Sequence, residues 1–358
     1  DLKNAFALVK RDQLILSEHI GDLEDAEVYR HYVDSIEHLR KLFDVEPGVV
    51  ACDFHPGYMS SHYARSLDGV RVISVQHHWA HVASVLAEHG IDGPVIGLEC
   101  DGTGYGTDGA IWGCECLIAS LTEFERVGHL EYYPLAGGDK ASKEPIRPAL
   151  SLLRQAYGPD FRPSAFGELL ERIEPDMNRL NMIVEQLDKR INTVDTSSLG
   201  RAFDAVAALL GLGTYNHFDA QLPMTLESIA ACDIEDCFAF DLICRANEPV
   251  KISLRQTFRQ LVEQIGQDRS ASELSARFHN TLAEALLALA NAARESTHLD
   301  TVALSGGVFC NRYLANRVVR RLKQAGFAVL CNREVPANDG GIALGQAAIA
   351  ASVLSKHL

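Results

Sequence analysis

Pro94-Val95-Ile96-Gly97-Leu98-Glu99-Cys100-Asp101-Gly102-Thr103-Gly104-Tyr105-Gly106 is an apolar run that ends in a carboxylate and a string of glycines. A short apolar run bounded by glycine reads as a buried strand, and glycines after it let backbone amides approach a ligand. The arrangement recurs where residues 302–304, a second short strand, meet Ser305-Gly306-Gly307 and a helix begins near Asn311. Strand, glycine turn and helix, twice over, predict an α/β protein of two similar lobes. Neither glycine run is a Walker loop, because no Gly-Lys-Ser/Thr follows, and neither has GxGxxG spacing before a helix. An ordinary glycine-rich turn explains either one singly. As a pair, one per lobe, they fit a nucleotide held in a cleft between lobes, on Gly102, Thr103, Gly104, Gly306 and Gly307.

Outward from these runs the elements are mixed. Residues 5–9 and 13–20 flank the polar turn Lys10-Arg11-Asp12 and predict a hairpin. A helical stripe of Val28, Tyr32, Ile36, Leu39 and Leu42 ends before Pro47. Strands are expected at 49–53, 70–75, 110–119 and 126–133, with a helix around 60–66. Residues 157–192 are polar and mostly helical, and read as an insertion rather than core. Thr196-Ser197-Ser198 is N-cap material for an Ala-rich helix over 199–210. Strands at 238–242, 250–254 and 327–330, helices at 254–264 and 272–296, and a closing helix over 341–354 complete the series. The expected division is a first lobe over 1–120 and a second over 121–358 that contains the insertion.

Val75-Gln76-His77-His78-Trp79-Ala80-His81-Val82-Ala83 carries a different chemistry. With Val82, Val85 and Leu86 at helical spacing, His77 and His81 fall on one helix face, one turn apart. Two such imidazoles make half of a metal site. Asp339, in the glycine-flanked run Asn338-Asp339-Gly340-Gly341, is a candidate third ligand. A chain with 14 histidines also places two at this spacing by chance. Asp101 is open to three readings: ribose binding, binding of a phosphate-bound metal, or capping its own turn.

Composition bounds the classes. A chain of 358 residues with 47% hydrophobic residues has ample material for a core. Its net charge of −15 argues against a broad nucleic-acid footprint, which needs clustered Lys and Arg. The nine cysteines are scattered without a CxxC pair, which favours a reducing cytoplasm over a disulfide framework. No apolar run is long enough to span a bilayer. The start, Asp1-Leu2-Lys3-Asn4, lacks an initiator Met and reads as cut from a longer protein.

Several runs together resemble the HypF carbamoyltransferases of nickel–iron hydrogenase maturation. They are Ala51-Cys52-Asp53-Phe54-His55-Pro56-Gly57-Tyr58, Gln76-His77-His78-Trp79-Ala80-His81, Asp101-Gly102-Thr103-Gly104, Ser198-Leu199-Gly200-Arg201-Ala202-Phe203-Asp204, Ser305-Gly306-Gly307-Val308-Phe309-Cys310-Asn311 and Asn338-Asp339-Gly340-Gly341. The resemblance covers only the C-terminal module of that family. It is similar in turn to threonylcarbamoyl-transferring enzymes of tRNA modification and to antibiotic O-carbamoyltransferases. It implies an actin/Hsp70/sugar-kinase-like fold of two ribonuclease-H-like lobes with a nucleotide and metal cleft between them. It also implies His77, His81, Asp101 and Asp339 as ligands of a divalent metal, with iron, zinc and manganese suited to such donors. Gly200, Asp204 and Asn311 fall in segments that hold the nucleoside of carbamoyl-adenylate. The implied acceptor is the C-terminal Cys of a HypE-like maturation protein, and the implied donor comes from an upstream domain that forms carbamoyl-adenylate. Two departures touch Asp219, in Asp219-Ala220-Gln221 where the family has Glu-Gly-Gln, and Lys143, in Lys143-Glu144-Pro145 where it has Arg-Glu-Pro. His78 is either a general base or a core residue, with the core role favoured by geometry; Cys100 and Cys310 are expected to be small buried core residues. Two other readings remain: threonylcarbamoyl transfer to tRNA adenosine, and a non-catalytic ATP-binding module of the actin/Hsp70 class.

Overall fold

The structure is a computed structural model and describes residues 2–355. An antiparallel hairpin opens it, β1 (Ala7–Lys10) and β2 (Gln13–Leu16), turning through Arg11 at φ 58°. Helix α1 (Ala26–Phe43) starts where the Asp25 carboxylate accepts from the Glu27 and Val28 amides, groups that the first turn cannot satisfy itself. Parallel strands β3 (Val49–Asp53) and β4 (Arg71–Val75) flank helix α2 (Met59–Ser66). Helix α3 (His77–His89) is capped by the Gln76 side chain, 2.8 Å from the Trp79 amide, and ends at Gly90 with the left-handed φ of 62° that glycine tolerates. Up to this point the elements lie where their sequence patterns place them.

The glycines after residue 100 do not form the expected turn. Strand β5 (Val95–Tyr105) runs through them and pairs with β6 (Ile111–Ala119), its register slipping between Cys100 and Gly104. Neither Gly102 nor Gly104 is among the glycines with positive φ. They serve close approach, and the irregular register at Asp101 re-aims its side chain out of the ladder. The single strand expected at 126–133 is two, β7 (Phe124–Leu130) and β8 (Tyr133–Ala136). Helices α4 (Lys140–Lys143) and α5 (Ile146–Tyr157) follow.

Residues 157–192 are not an insertion outside the core. Helices α6 (Gly167–Glu171) and α7 (Met177–Lys189) bury Leu169, Leu170, Leu180, Ile183, Val184 and Leu187 in the main hydrophobic cluster. Buried positions in α7 recur three and four apart, so its polar composition describes only the outer face. Burying each of these large side chains contributes about 2 kcal/mol.

Strand β9 (Thr193–Thr196) leads into α8 (Leu199–Leu209), where Ser198 accepts from the Arg201 amide and every helical residue is buried. Its alanines, each with only a methyl group to accommodate, permit this depth. Helix α9 (Gln221–Ser228) follows, without a clear sequence pattern behind it. Strands β10 (Asp241–Ile243) and β11 (Val250–Ser253), helices α10 (Arg255–Gly266) and α11 (Ala271–Thr297), then β12 (Thr301–Ser305), α12 (Arg312–Gln324), β13 (Ala328–Cys331) and α13 (Ile342–Ser355) complete the chain.

The central sheet has the order β10-β11-β7-β6-β5-β12-β13. Within it β7, β6 and β5 are antiparallel neighbours, while β12 and β13 run parallel to β5. The boundary expected at residue 120 therefore fails, because it falls in the connection between the adjacent strands β6 and β7. Strands joined by so short a link belong to one sheet, and a change from strands to helices further along the sequence is no domain border.

Helices α3 and α13 form a layer between the central sheet and the small strand pairs. Val82, Val85 and Leu86 of α3 pack on Val95, Leu117 and Ala303 of the sheet, and Ala80 and Ala83 pack on Ile342 and Ile349 of α13. A Cβ on Gly345 of α13 would stand 1.9 Å from the Ala80 carbonyl oxygen. The helices cross at backbone contact. Gly345→Val should therefore drive them apart and lower stability by about 1–3 kcal/mol in urea unfolding; an unchanged midpoint would show that the crossing tolerates a side chain.

Candidate metal centre

Three elements bring His77, His81, Asp101 and Asp339 together, with one ligand atom from each within 4.8 Å of all the others. The two imidazoles lie one turn apart on α3, their ring centroids separated by 5.1 Å. Asp101 sits at the irregularity of β5 and Asp339 in the short turn ahead of α13. The Asp101 Oδ2 atom lies 3.3 Å from His77 Nε2 and 3.5 Å from His81 Nε2. Asp339 Oδ1 lies 3.8 and 3.5 Å from the same two nitrogens. Asn338 holds that turn, its Oδ1 accepting from the Gly340 amide at 3.0 Å.

The supporting contacts orient each donor. His77 Nδ1 donates to Asp53 Oδ2 at 2.8 Å, which leaves Nε2 with its lone pair toward the cluster. Asp53 went unassigned in the sequence, although it ends a strand in the Cys52-Asp53-Phe54-His55 run. His81 Nδ1 lies 3.4 Å from Ser305 Oγ. The other Asp101 oxygen, Oδ1, accepts from the Gly102 and Gly307 amides at 2.7 and 3.2 Å.

Electrostatics within the cluster are strongly coupled. Burial disfavours charge on His77, but the Asp101 and Asp53 carboxylates outweigh it and hold its pKa well above the usual imidazole value. His81 is raised for the same reason, burial being offset by Asp101 and Asp339. Burial pushes Asp101 upward, and the two imidazoles reverse this to well below the normal carboxylate range. His78 behaves oppositely: burial and the neighbouring His77 push its pKa well down.

Two histidine nitrogens and two carboxylate oxygens suit a divalent iron, zinc or manganese ion. The fit is tested by His81 Nε2, a buried nitrogen with no hydrogen-bond partner that is directed at the carboxylates. A buried polar atom without a partner is costly, and a cation ligated there removes the cost. Asp339, 34% exposed, is the side of the cluster open to solvent.

Most of the glycines stand in close contact with these groups. A Cβ on Gly104 would meet His78 Cε1 at 2.3 Å and His77 Cδ2 at 2.8 Å, so this glycine makes room for the histidines. A Cβ on Gly307 would lie 2.8 Å from Asp101 Oδ1, and one on Gly306, which has φ +104°, would lie 2.2 Å from the Cys100 carbonyl. Gly102 faces open space, and Thr103 is exposed. Gly200 abuts Gly102, where its Cβ would stand 2.9 Å from the Gly102 Cα, and Ser198 Oγ donates to the Gly102 carbonyl.

Asp204 is fully buried and held by Arg201 Nε at 2.7 Å and Asn216 Nδ2 at 2.8 Å. Asn311 caps α12 through the Leu314 amide and donates to His279 Nε2 at 2.8 Å. Asn311 is thus partnered through both amide atoms, whereas Asp204 Oδ2, in ion-pair contact with Arg201, makes no hydrogen bond. Asp219 forms a 2.6 Å ion pair with Lys3 across the chain, and the Lys143 carbonyl accepts from the Asn216 amide. His78 has the core role: it is buried beside Gly104, with Nδ1 3.1 Å from Gln76 Nε2. Its Nε2 lies 3.0 Å from Glu99 Oε2 without hydrogen-bond alignment. Cys100 is buried as expected, whereas Cys310 is exposed, at the end of the turn after Gly306.

Residues 1–88 match the HypF Kae1-like domain, and residues 97–346 match the carbamoyltransferase, Kae1-like domain, second subdomain. The two matches meet between α3 and β5. Fold and site thus define a mixed α/β protein of the Kae1-like carbamoyltransferase class. The chain is 37% identical to carbamoyltransferase HypF of Synechocystis over 96% of its own length and 45% of that protein. It is 35% identical to a carbamoyltransferase HypF homolog of Cupriavidus necator, covering 98% of this chain and 89% of that one. The crystal structure of full-length HypF in its phosphate- and nucleotide-bound form superimposes with a TM-score of 0.93 at 43% identity, over 99% of this chain and 45% of that one. The T. kodakarensis HypF structure gives 0.88 at 32%, over 100% and 47%. The chain belongs to the HypF family, and spans just under half the length of most of these relatives.

His81→Ala should abolish stoichiometric binding of zinc or ferrous ion, measured by elemental analysis and calorimetry, while the far-UV spectrum stays unchanged. Asp53→Asn should weaken binding by about 10–100-fold, because it frees the ring of His77 without removing a ligand. Gly307→Val should also weaken it, by pressing on Asp101. Metal affinity should fall as pH drops: His77 and His81 must be neutral to ligate, and their raised pKa values start the loss above the ordinary imidazole range. A pH-independent affinity would contradict this assignment.

Proposed function

We propose that this chain transfers a carbamoyl group from carbamoyl-adenylate to the C-terminal cysteine of a HypE-like maturation protein. The observation that carries the reading is the convergence of His77, His81, Asp101 and Asp339, with the His81 Nε2 atom buried and unpartnered. Family membership and a relative whose structure holds phosphate and nucleotide support it. A divalent ion on these four side chains would polarise the carbamoyl carbonyl and offset charge on the acyl phosphate.

The protein's own groups do the rest. The open face of Gly102, the start of α8 beside it and the turn at Gly306 border the space we assign to the nucleotide. Lys3 places a positive charge near Asp101 and Asp339; burial lowers its pKa, but its bond to Asp219, with smaller help from Asp339 and Asp101, raises it. Enclosure by α3, α13 and β5 limits water, which would otherwise hydrolyse a mixed anhydride. The acceptor sulfur attacks the carbamoyl carbon, an S–C bond forms, and the bond to the phosphate oxygen breaks with its electron pair leaving on AMP. The thiol proton goes to solvent, since the His78 ring is directed at Gln76 and Glu99.

On this reading the fold is that of two ribonuclease-H-like lobes of the actin/Hsp70/sugar-kinase class. The antiparallel β7-β6-β5 followed by parallel β12 and β13 supplies the second lobe. Carbamoyl-adenylate would come from a domain upstream in the longer protein. Transfer to tRNA is disfavoured by the net charge of −15. A purely nucleotide-binding module has no need of the histidine pair.

Supplied with carbamoyl-adenylate and a partner ending in Cys, the chain should add a mass of about 43 Da to that thiol, the nucleophile of the transfer. Carbamoyl phosphate and ATP alone should give no product, and added tRNA should change nothing. Carbamoylated or threonylcarbamoylated adenosine in place of the protein adduct would overturn the proposal.

A further inference from the structure

The two histidines of the metal centre are oriented by different means. A carboxylate, Asp53, holds His77 through Nδ1. The Nδ1 atom of His81 meets a hydroxyl instead, Ser305 Oγ, at 3.4 Å. An ionised carboxylate only accepts, so it fixes the tautomer of its imidazole outright. A hydroxyl both donates and accepts, so Ser305 fixes nothing until its own proton is placed.

That placement runs through Asn332, the residue after β13. Ser305 Oγ lies 2.9 Å from Asn332 Oδ1, and Asn332 Nδ2 lies 2.9 Å from Ser84 Oγ. Ser84 stands on α3 beside His81, and its hydroxyl donates to the His81 carbonyl at 2.7 Å. These contacts share one direction. The Ser84 proton is used inside the helix, so its oxygen is left to accept and the NH2 side of the Asn332 amide faces it. The amide oxygen is thereby turned to Ser305 and takes the Ser305 proton. The Ala337 carbonyl, at 3.4 Å, is a longer second acceptor for that proton and leaves the direction unchanged. Ser305 then accepts from His81, which puts the ring proton on Nδ1 and a lone pair on Nε2. Nε2 is the buried atom directed at Asp101 and Asp339.

Reversing the amide reverses the outcome. Ser84 would donate to Asn332, Asn332 to Ser305, and Ser305 to His81 Nδ1. The ring proton would then sit on Nε2, where it blocks ligation. We infer that Asn332 is a positioning residue of the metal centre, whose amide, held in one orientation, keeps His81 in the tautomer that binds a cation. The inference rests on the metal reading of this site and adds the residue that sets its second imidazole.

The backbone on both sides of Asn332 is tied to the same helix. The Cys331 carbonyl accepts from His89 Nε2 at 2.9 Å. The Glu88 carboxylate accepts from the Arg333 amide at 2.6 Å and the Val335 amide at 2.8 Å. His81, Ser84 and Glu88 recur at helical spacing, so they share one face of α3. The helix that carries the imidazole therefore also carries the groups that hold Asn332 at its distance. Ser305 directly precedes Gly306, whose amide donates to the Ala337 carbonyl at 2.8 Å, just ahead of Asp339. The relay thus links His81 to the segment that delivers the fourth ligand.

The test reads tautomer and affinity separately. In the metal-free chain at alkaline pH, where the imidazoles are neutral, nitrogen chemical shifts by NMR should place the His81 proton on Nδ1. Asn332→Ala removes the acceptor, so it should populate the Nε2–H form and weaken zinc binding in calorimetry by about tenfold. Asn332→Asp has the same shape and still accepts from Ser305, so it should keep the proton on Nδ1 and bind zinc no less tightly than the parent chain. A proton that stays on Nδ1 in Asn332→Ala overturns the inference. So does an equal loss of affinity in the Ala and Asp variants, which would assign Asn332 to loop packing alone. Should Asn332→Ala not fold, Ser84→Ala decides on the same readout, because it releases the amide to turn over; unchanged Nδ1 protonation there overturns the inference as well. Absence of zinc binding by the parent chain would count against the metal centre itself, and the tautomer, read without metal, tells the two failures apart.

Discussion

Gly345 meets the Ala80 carbonyl with no side chain between them, and much of the molecule is arranged around that contact. It lets α13 cross α3 at backbone contact, which seats the last helix against one from the first quarter of the sequence. Asp339 precedes α13 by a short turn, so the crossing also sets the distance from that carboxylate to His77 and His81. The same two helices separate the small strand pairs from the central sheet. A side chain at position 345 would disturb the core, the layer order and the metal centre together.

Four ionisable groups meet at that centre, three of them buried. Burying charges is expensive unless each has a partner. Here Asp101 is answered by two backbone amides and two imidazoles and His77 by Asp53 and Asp101, while His81 Nε2 lies 3.5 Å from both Asp101 and Asp339 without a hydrogen bond to either. Such a cluster is a poor way to stabilise a core and a good way to hold a cation. The arrangement therefore speaks for binding, and His78 beside it shows the contrast: on the same helix, its ring is directed at Gln76 and Glu99 and its pKa is pushed well down.

Glycine has a consistent role around this site, and it is steric. Gly104 clears space for the histidine rings, Gly307 for the Asp101 carboxylate and Gly306 for the Cys100 carbonyl. Glycine-rich runs beside a strand commonly suggest a phosphate cradle, and here Gly102 keeps an open face that fits one. The others are filled by the protein itself. Their amides and missing side chains position the Asp101 carboxylate and the histidine rings.

Local patterns determined a good deal by themselves. The Asp25 cap and apolar stripe of α1, the i, i+4 histidines on α3, the Ser198 cap of α8 and the strand ahead of Asp101 depend on neighbours in sequence, and all lie where those neighbours put them. What failed was long-range. Whether Asp101-Gly102-Thr103-Gly104 turns or continues as strand depends on β6 pairing alongside it; whether residues 157–192 are core depends on what α7 packs against. The border at residue 120 vanished because β6 and β7 share a sheet. Asp53 and Gly345 left no local mark: a carboxylate becomes a histidine partner and a helical glycine a crossing point only when segments far apart in sequence are packed together. The sequence alone determined the ligands' chemistry and the helix that carries half of them; only the tertiary structure decided their geometry, because distances between remote segments are set by packing.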